Sequence, residues 1–112
     1  MIVKVPHHGE VVLDTGLTYD GVTPIFVRVT NRHGRYRFSD DGGAVSAATV
    51  DVDELVFPDG LRLGENEVNV SRRGVVWLPA FARQGQEWLE QVVSLVAEGS
   101  LVLYESLLEP LG

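Results

Sequence analysis

The sequence predicts an α+β fold: an antiparallel sheet of about five or six strands built from hairpins, packed against one long C-terminal helix, with one or two short helices beside it. Three observations lead there. Period-two alternation recurs in short runs between turn residues, most clearly where Ile25, Val27 and Val29 alternate with Phe26, Arg28 and Thr30, and where Tyr36 and Phe38 alternate with Arg35, Arg37 and Ser39. The final third of the chain changes period. At about 100° per residue, Trp88, Leu89, Val92, Val93, Leu95, Val96, Val102, Leu103 and Leu107 share half of a helix circumference, and Glu87, Glu90, Glu98 and Glu105 gather opposite. Finally, 112 residues, 45% hydrophobic and 22% charged, fit a single domain over residues 1–112 that buries a core without metal or disulfide staples.

The stretch from Ile25 to Phe38 is the clearest hairpin. Asn31, Arg32, His33 and Gly34 separate its strands, and a turn using all four sets Thr30 opposite Arg35, Val29 opposite Tyr36, Arg28 opposite Arg37 and Val27 opposite Phe38. Ser39-Asp40-Asp41-Gly42-Gly43 then makes a strand-to-helix corner into Ala44-Val45-Ser46-Ala47-Ala48, with Asp40 or Asp41 capping the helix. Upstream, residues 10–14 read as a strand, preceded by a further strand at residues 2–5 and a His7-His8-Gly9 turn; residues 15–24 read as loop.

Downstream, Asp51-Val52-Asp53-Glu54 has capping-box spacing and starts a one-turn helix to Phe57. Leu61-Arg62-Leu63 and the Val68/Val70 pair read as short strands around a Gly64-Glu65-Asn66 turn. After a Ser71-Arg72-Arg73-Gly74 turn, residues 75–78 form a strand that Pro79 stops. The frame V-x-V-T-N-R-H-G in the first hairpin echoes V-x-V-S-R-R-G in the second, read as two hairpins of one type. The helix runs from about Phe81 to Leu108, weakened by ~1 kcal/mol in the middle by Gly99-Ser100.

Phe38-Ser39-Asp40-Asp41-Gly42-Gly43, Leu61-Arg62-Leu63-Gly64-Glu65-Asn66-Glu67-Val68 and the apolar helix from Trp88 resemble a family of small bacterial and phage proteins described only as a domain of unknown function. The resemblance covers the chain from about Tyr19 onward. It implies a fold and a genomic setting, and no activity.

Charge narrows the function classes. Residues 1–37 hold five cations against three acids, residues 38–69 one against eight, and residues 70–112 three against five, for a net −7. Such acidity weighs against a broad phosphate-binding surface, yet Arg28, Arg32, Arg35 and Arg37 make the hairpin a local site for an anion or nucleic acid. The blander reading pairs these arginines with Glu10, Asp14 or Glu67 on a solvated face. Zero cysteines exclude disulfides, thiolate metal sites and a cysteine nucleophile.

Chemistry beyond that is sparse. Asp40 and Asp41, with Asp51, Asp53 or His33, have the oxygen and nitrogen donors of a divalent-cation site, but capping accounts for the aspartates without metal. His7 and His8 point apart in extended chain and lack a partner at helical spacing. Neither G-x-S-x-G nor G-x-x-x-x-G-K occurs, so no catalytic residue, metal or cofactor is expected. The opening residues lack the apolar run of a signal peptide and no uninterrupted apolar span nears 20 residues, which predicts a cytoplasmic protein without a membrane partner.

The expected function is a non-enzymatic interaction module that binds another protein or its own copy. The alternatives are a nucleic-acid-associated accessory or regulatory protein using the hairpin arginines, and then a metal-dependent enzyme around Asp40 and Asp41. Self-association has a specific candidate. On the helical projection Leu101 and Leu108 fall on the glutamate side with Tyr104 at its border, an i, i+3, i+7 stripe that suits a homodimer.

Overall fold

A computed structural model describes residues 8–108. Six strands form one antiparallel sheet: β1 (Gly9–Thr18), β2 (Pro24–Arg32), β3 (Arg35–Ser39), β4 (Gly60–Leu63), β5 (Asn66–Val70) and β6 (Val76–Phe81). Their order is β1-β2-β3-β6-β5-β4, so two three-stranded meanders meet at the β3–β6 pair. A short helix α1 (Gly43–Ala48) follows the first meander and a long helix α2 (Gln86–Leu108) follows the second. Single 3-10 turns occur at Val52–Glu54 and Ala82–Gln84. The architecture is the α+β arrangement that the change of period implies. The strand expected at residues 2–5 and the His7 turn position lie outside the described residues.

The alternating residues explain which face the helix covers. Ile25, Val27, Val29, Phe38, Val68 and Val76 project from the sheet onto Val92, Val93 and Val96 of α2, and all nine are fully buried. By length and composition α2 is apolar enough to cross a membrane, but half of its most apolar window is buried within the fold, as in a core helix.

The hairpin register differs from the four-residue turn. His33 and Gly34 alone form the turn, at φ 57° and 81°, and two positive φ values in sequence make a type I′ turn. Arg32 therefore faces Arg35, Asn31 faces Tyr36, Val29 faces Phe38, and Arg28 faces Ser39, not Arg37. The shift is two residues along the strand, so the same side chains still point inward. Asn31 Oδ1 accepts from Gly34 N–H at 2.9 Å, which lets a tight turn replace a wide one.

Other boundaries move for local reasons. β1 continues to Thr18 through residues expected as loop, with a register irregularity between Asp14 and Thr18. The remaining turn is closed by Asp20, whose carboxylate accepts from Val22 N–H, Thr23 N–H and Thr23 Oγ1. Pro79 does not stop β6. On the β5 side, pairing ends with Trp77, so no ladder there calls on a Pro79 N–H. The segment after Pro79 is therefore strand to Phe81, and α2 starts at Gln86. Asp51 caps a 3-10 turn by accepting from Asp53 N–H at 3.0 Å, and the turn ends at Glu54.

Candidate functional site

The outward face of the sheet, opposite α2, is where the cations collect. Its rows follow from the register: Arg32, Arg35 and Phe81 in one, Thr30, Arg37 and Pro79 in the next, and Arg28, Ser39 and Trp77 in the third. Arg28 is neutralised, by Glu10 at 3.1 Å and Asp41 at 3.0 Å, so the solvated pairing expected of the hairpin holds for this arginine. Hydrogen bonding to Glu10 and the charge of Asp41 push the Arg28 guanidinium above its ordinary range. Arg37 lies over the Trp77 ring at 4.6 Å and Arg83 over the Phe81 ring at 5.2 Å. Arg32 and Arg35, directly opposed, have no carboxylate within ion-pair distance among the described residues.

These residues border an open groove of about 870 Å³ lined by Thr30, Arg32, His33, Arg35, Tyr36 and Arg37. Beyond Trp77 the face continues into a second groove of about 650 Å³, with Arg72 and Arg73 on its lining and Asp59 as its acid. The exposed glutamates of α2, Glu87, Glu98 and Glu105, point away from this surface, because the helix covers the other side of the sheet. The molecule is thus negative over its helix and locally positive across β2, β3 and β6.

A second constellation is buried. Asp40 Oδ1 accepts from Gly42 N–H and Val76 N–H, each at 2.9 Å, and Oδ2 accepts from the Ser100 hydroxyl at 2.7 Å and, at 3.4 Å, from Ala44 N–H. With its proton given to Asp40, Ser100 accepts from the Tyr19 hydroxyl at 2.6 Å. Burial pushes the Asp40 carboxyl above its ordinary value, and Ser100 and the three N–H donors pull it back. Burial likewise raises Tyr19 to about 12, with the Asp40 charge adding to the rise and the Ser100 hydrogen bond opposing it. Four donors converging on one carboxylate suit its ionised form.

This chain of hydroxyls is a clamp in its geometry. It ties the end of β1 to the corner after β3, the start of β6 and the middle of α2. Ser100 is fully buried, and neither His8 nor His33 enters the network to act as its base. Gly42, which has no side chain, holds the N-cap position of α1, so neither aspartate is the expected cap: Asp40 turns the corner and reaches the helix only through the long bond from Ala44 N–H, while Asp41 takes φ 57° and turns its carboxylate to Arg28. Among the described residues no three His, Asp or Glu side chains converge as a cation site.

The helix stripe expected to join two copies is divided by the fold. Tyr104 is buried, its ring 5.2 Å from that of Tyr19. Leu101 is half-buried against the core, and Leu108 is 53% exposed. Although α2 stays unbroken through Gly99-Ser100, a continuous wet stripe is absent because Tyr104 packs on Tyr19 and Leu101 on the core.

Sequence reasoning singled out Arg32, Arg35 and Arg37, which the structure brings together, and Arg28, which it pairs off. Trp77, Phe81 and Arg83 were missed as parts of the same face. Their signal was the outward parity of Trp77 and Phe81 in one strand, hidden by ending that strand at Pro79. Ser100 was visible as a polar residue on the apolar side of α2. No family model, curated protein or solved structure matches the chain, so the resemblance at the Asp40 corner is neither supported nor opposed.

Proposed function

We propose that this chain is a non-catalytic interaction module that grips an anionic partner with the outward face of β2, β3 and β6. The observation that carries this reading is the Arg32–Arg35 pair. Like charges directly opposed across a hairpin cost a few tenths to about 1 kcal/mol, and no carboxylate among the described residues offsets that cost. An incoming anion supplies the missing charge, and two guanidinium forks hold it in a defined orientation. Arg28 is engaged internally and serves the fold.

Chromatography on immobilised heparin tests this. The wild type is expected to be retained at low ionic strength and released as salt rises, despite the net −7. The double variant Arg32→Ala, Arg35→Ala is expected to flow through with its thermal midpoint unchanged or slightly raised, since both side chains are exposed and the repulsion between them is removed. Wild-type protein that passes through a heparin column at low salt, or a double variant retained as well as the wild type, would falsify the reading.

A further inference from the structure

We infer that the anion is a single-stranded nucleic acid, laid along β6 with its bases on Trp77 and Phe81 and its phosphates on the flanking arginines. This rests on the anion-binding reading and names the ligand class of the same face. A polyanion alone would need only the guanidinium groups. The face offers more. Trp77 and Phe81 project on one side of one strand, four residues and so about 13 Å apart, a distance that two unstacked nucleotide steps span.

A guanidinium lies over each ring, Arg37 at 4.6 Å and Arg83 at 5.2 Å, so at both ends of the row a cation that turns aside to a phosphate frees the ring beneath it for a base. Phe81 is 41% exposed, with Arg83 over its ring. Stacking of this kind is tolerant of sequence and needs bases freed from pairing. Duplex would meet the face differently. Reading its major groove takes a protruding helix or two-stranded ribbon, and here the long helix lies behind the sheet with its exposed side acidic. An acidic peptide would satisfy the arginines and leave both rings idle.

The chain has two tryptophans, Trp77 and Trp88. Trp88 Nε1 is buried without a hydrogen-bond partner, so Trp88→Phe removes an unsatisfied donor and leaves Trp77 as the reporter. The full-length Trp88→Phe protein is titrated with an oligothymidylate, with a duplex of equal length and with polyglutamate, at one fixed salt concentration. Expected are saturable quenching of Trp77 by the single strand and binding about ten-fold or more tighter than to either competitor. On the otherwise wild-type chain, Trp77→Leu with Phe81→Leu is expected to weaken single-strand binding about ten-fold or more and to leave heparin retention unchanged, whereas Trp77→Phe, which keeps a ring, stays within about three-fold of the parent. Duplex or polyglutamate bound as tightly as the single strand overturns the inference, and this comparison needs no aromatic variant to fold. If heparin still retains the protein, the anion-binding reading survives that result; if heparin does not, both readings fall.

Discussion

Removing the Asp40 carboxylate would strand Gly42 N–H, Val76 N–H and the Ser100 hydroxyl in a buried site. Each such group costs roughly 1–3 kcal/mol, so Asp40→Ala is expected to lower stability by about 3 kcal/mol or more. Asp40→Asn should cost less than half as much. Its carbonyl keeps both backbone donors and its amide donates to Ser100, whose hydroxyl then donates to Tyr19 in a reversal of that bond, while the long bond from Ala44 is lost. Urea midpoints check the order, and an asparagine variant as damaged as the alanine would count against the network as drawn. The same chain predicts behaviour in alkali. Tyr19 is raised to about 12 from 10.0, so folding favours its neutral form. That contribution is whole below pH 10 and is lost as pH climbs from about 10 to about 12, with an upper limit of about 2–3 kcal/mol. A phenolate absorbance titration should show a late step from Tyr19, and Tyr19→Phe should abolish that step together with its share of the alkaline destabilisation.

At the scale of elements, α2 carries the point most open to test. Helix propensity alone says that Gly99→Ala stabilises, by about 1 kcal/mol. Its position says the reverse. A Cβ at Gly99 would stand 2.6 Å from Val68 Cγ2 and 3.1 Å from Val76 Cγ1, so the helix must lift from β5 and β6 or the valines must move. Gly99→Ala is expected to lower stability by about 1–3 kcal/mol, while Ser106→Ala, on the exposed side of the same helix, should change it by under about 0.5 kcal/mol. Thermal melts of the pair decide it. Gly99-Ser100 thus marks where helix meets sheet, not where the helix breaks. Nothing in the local sequence separates those meanings, because a small residue that weakens a helix and one that admits a close neighbour are the same residue. Pro79 misleads in a similar way: it ends a strand only where its neighbour needs an N–H, and that depends on how far β5 reaches.

Across the whole molecule, the parts legible in advance were those with local causes. Inward residues of the first hairpin, the Asp40 corner and the apolar side of α2 followed from period and turn chemistry. The outward face did not, because it is assembled when β6 inserts beside β3 and brings Trp77 opposite Ser39 and Phe81 opposite Arg35. No spacing along the chain announces that meeting. The two related turn frames also take on a meaning there. Exchanging β1, β2, β3 for β4, β5, β6 reverses the strand order onto itself, and the V-x-V-T-N-R-H-G and V-x-V-S-R-R-G frames fall at corresponding hairpins.

That symmetry of order governs how the chain finds its shape. Four of the five strand pairings join neighbours in sequence and close small loops, whereas Phe38 and Leu78 meet across the seam from opposite halves of the chain. The entropy of long-range closure is concentrated in that one encounter. Asp40 and Val76 sit at its end and exchange two hydrogen bonds, the Asp40 N–H to the Val76 carbonyl and the Val76 N–H to the Asp40 carboxylate, each at 2.9 Å. The sheet is therefore two local ribbons zipped at a single seam, and the buried aspartate is the stop at the end of the zip.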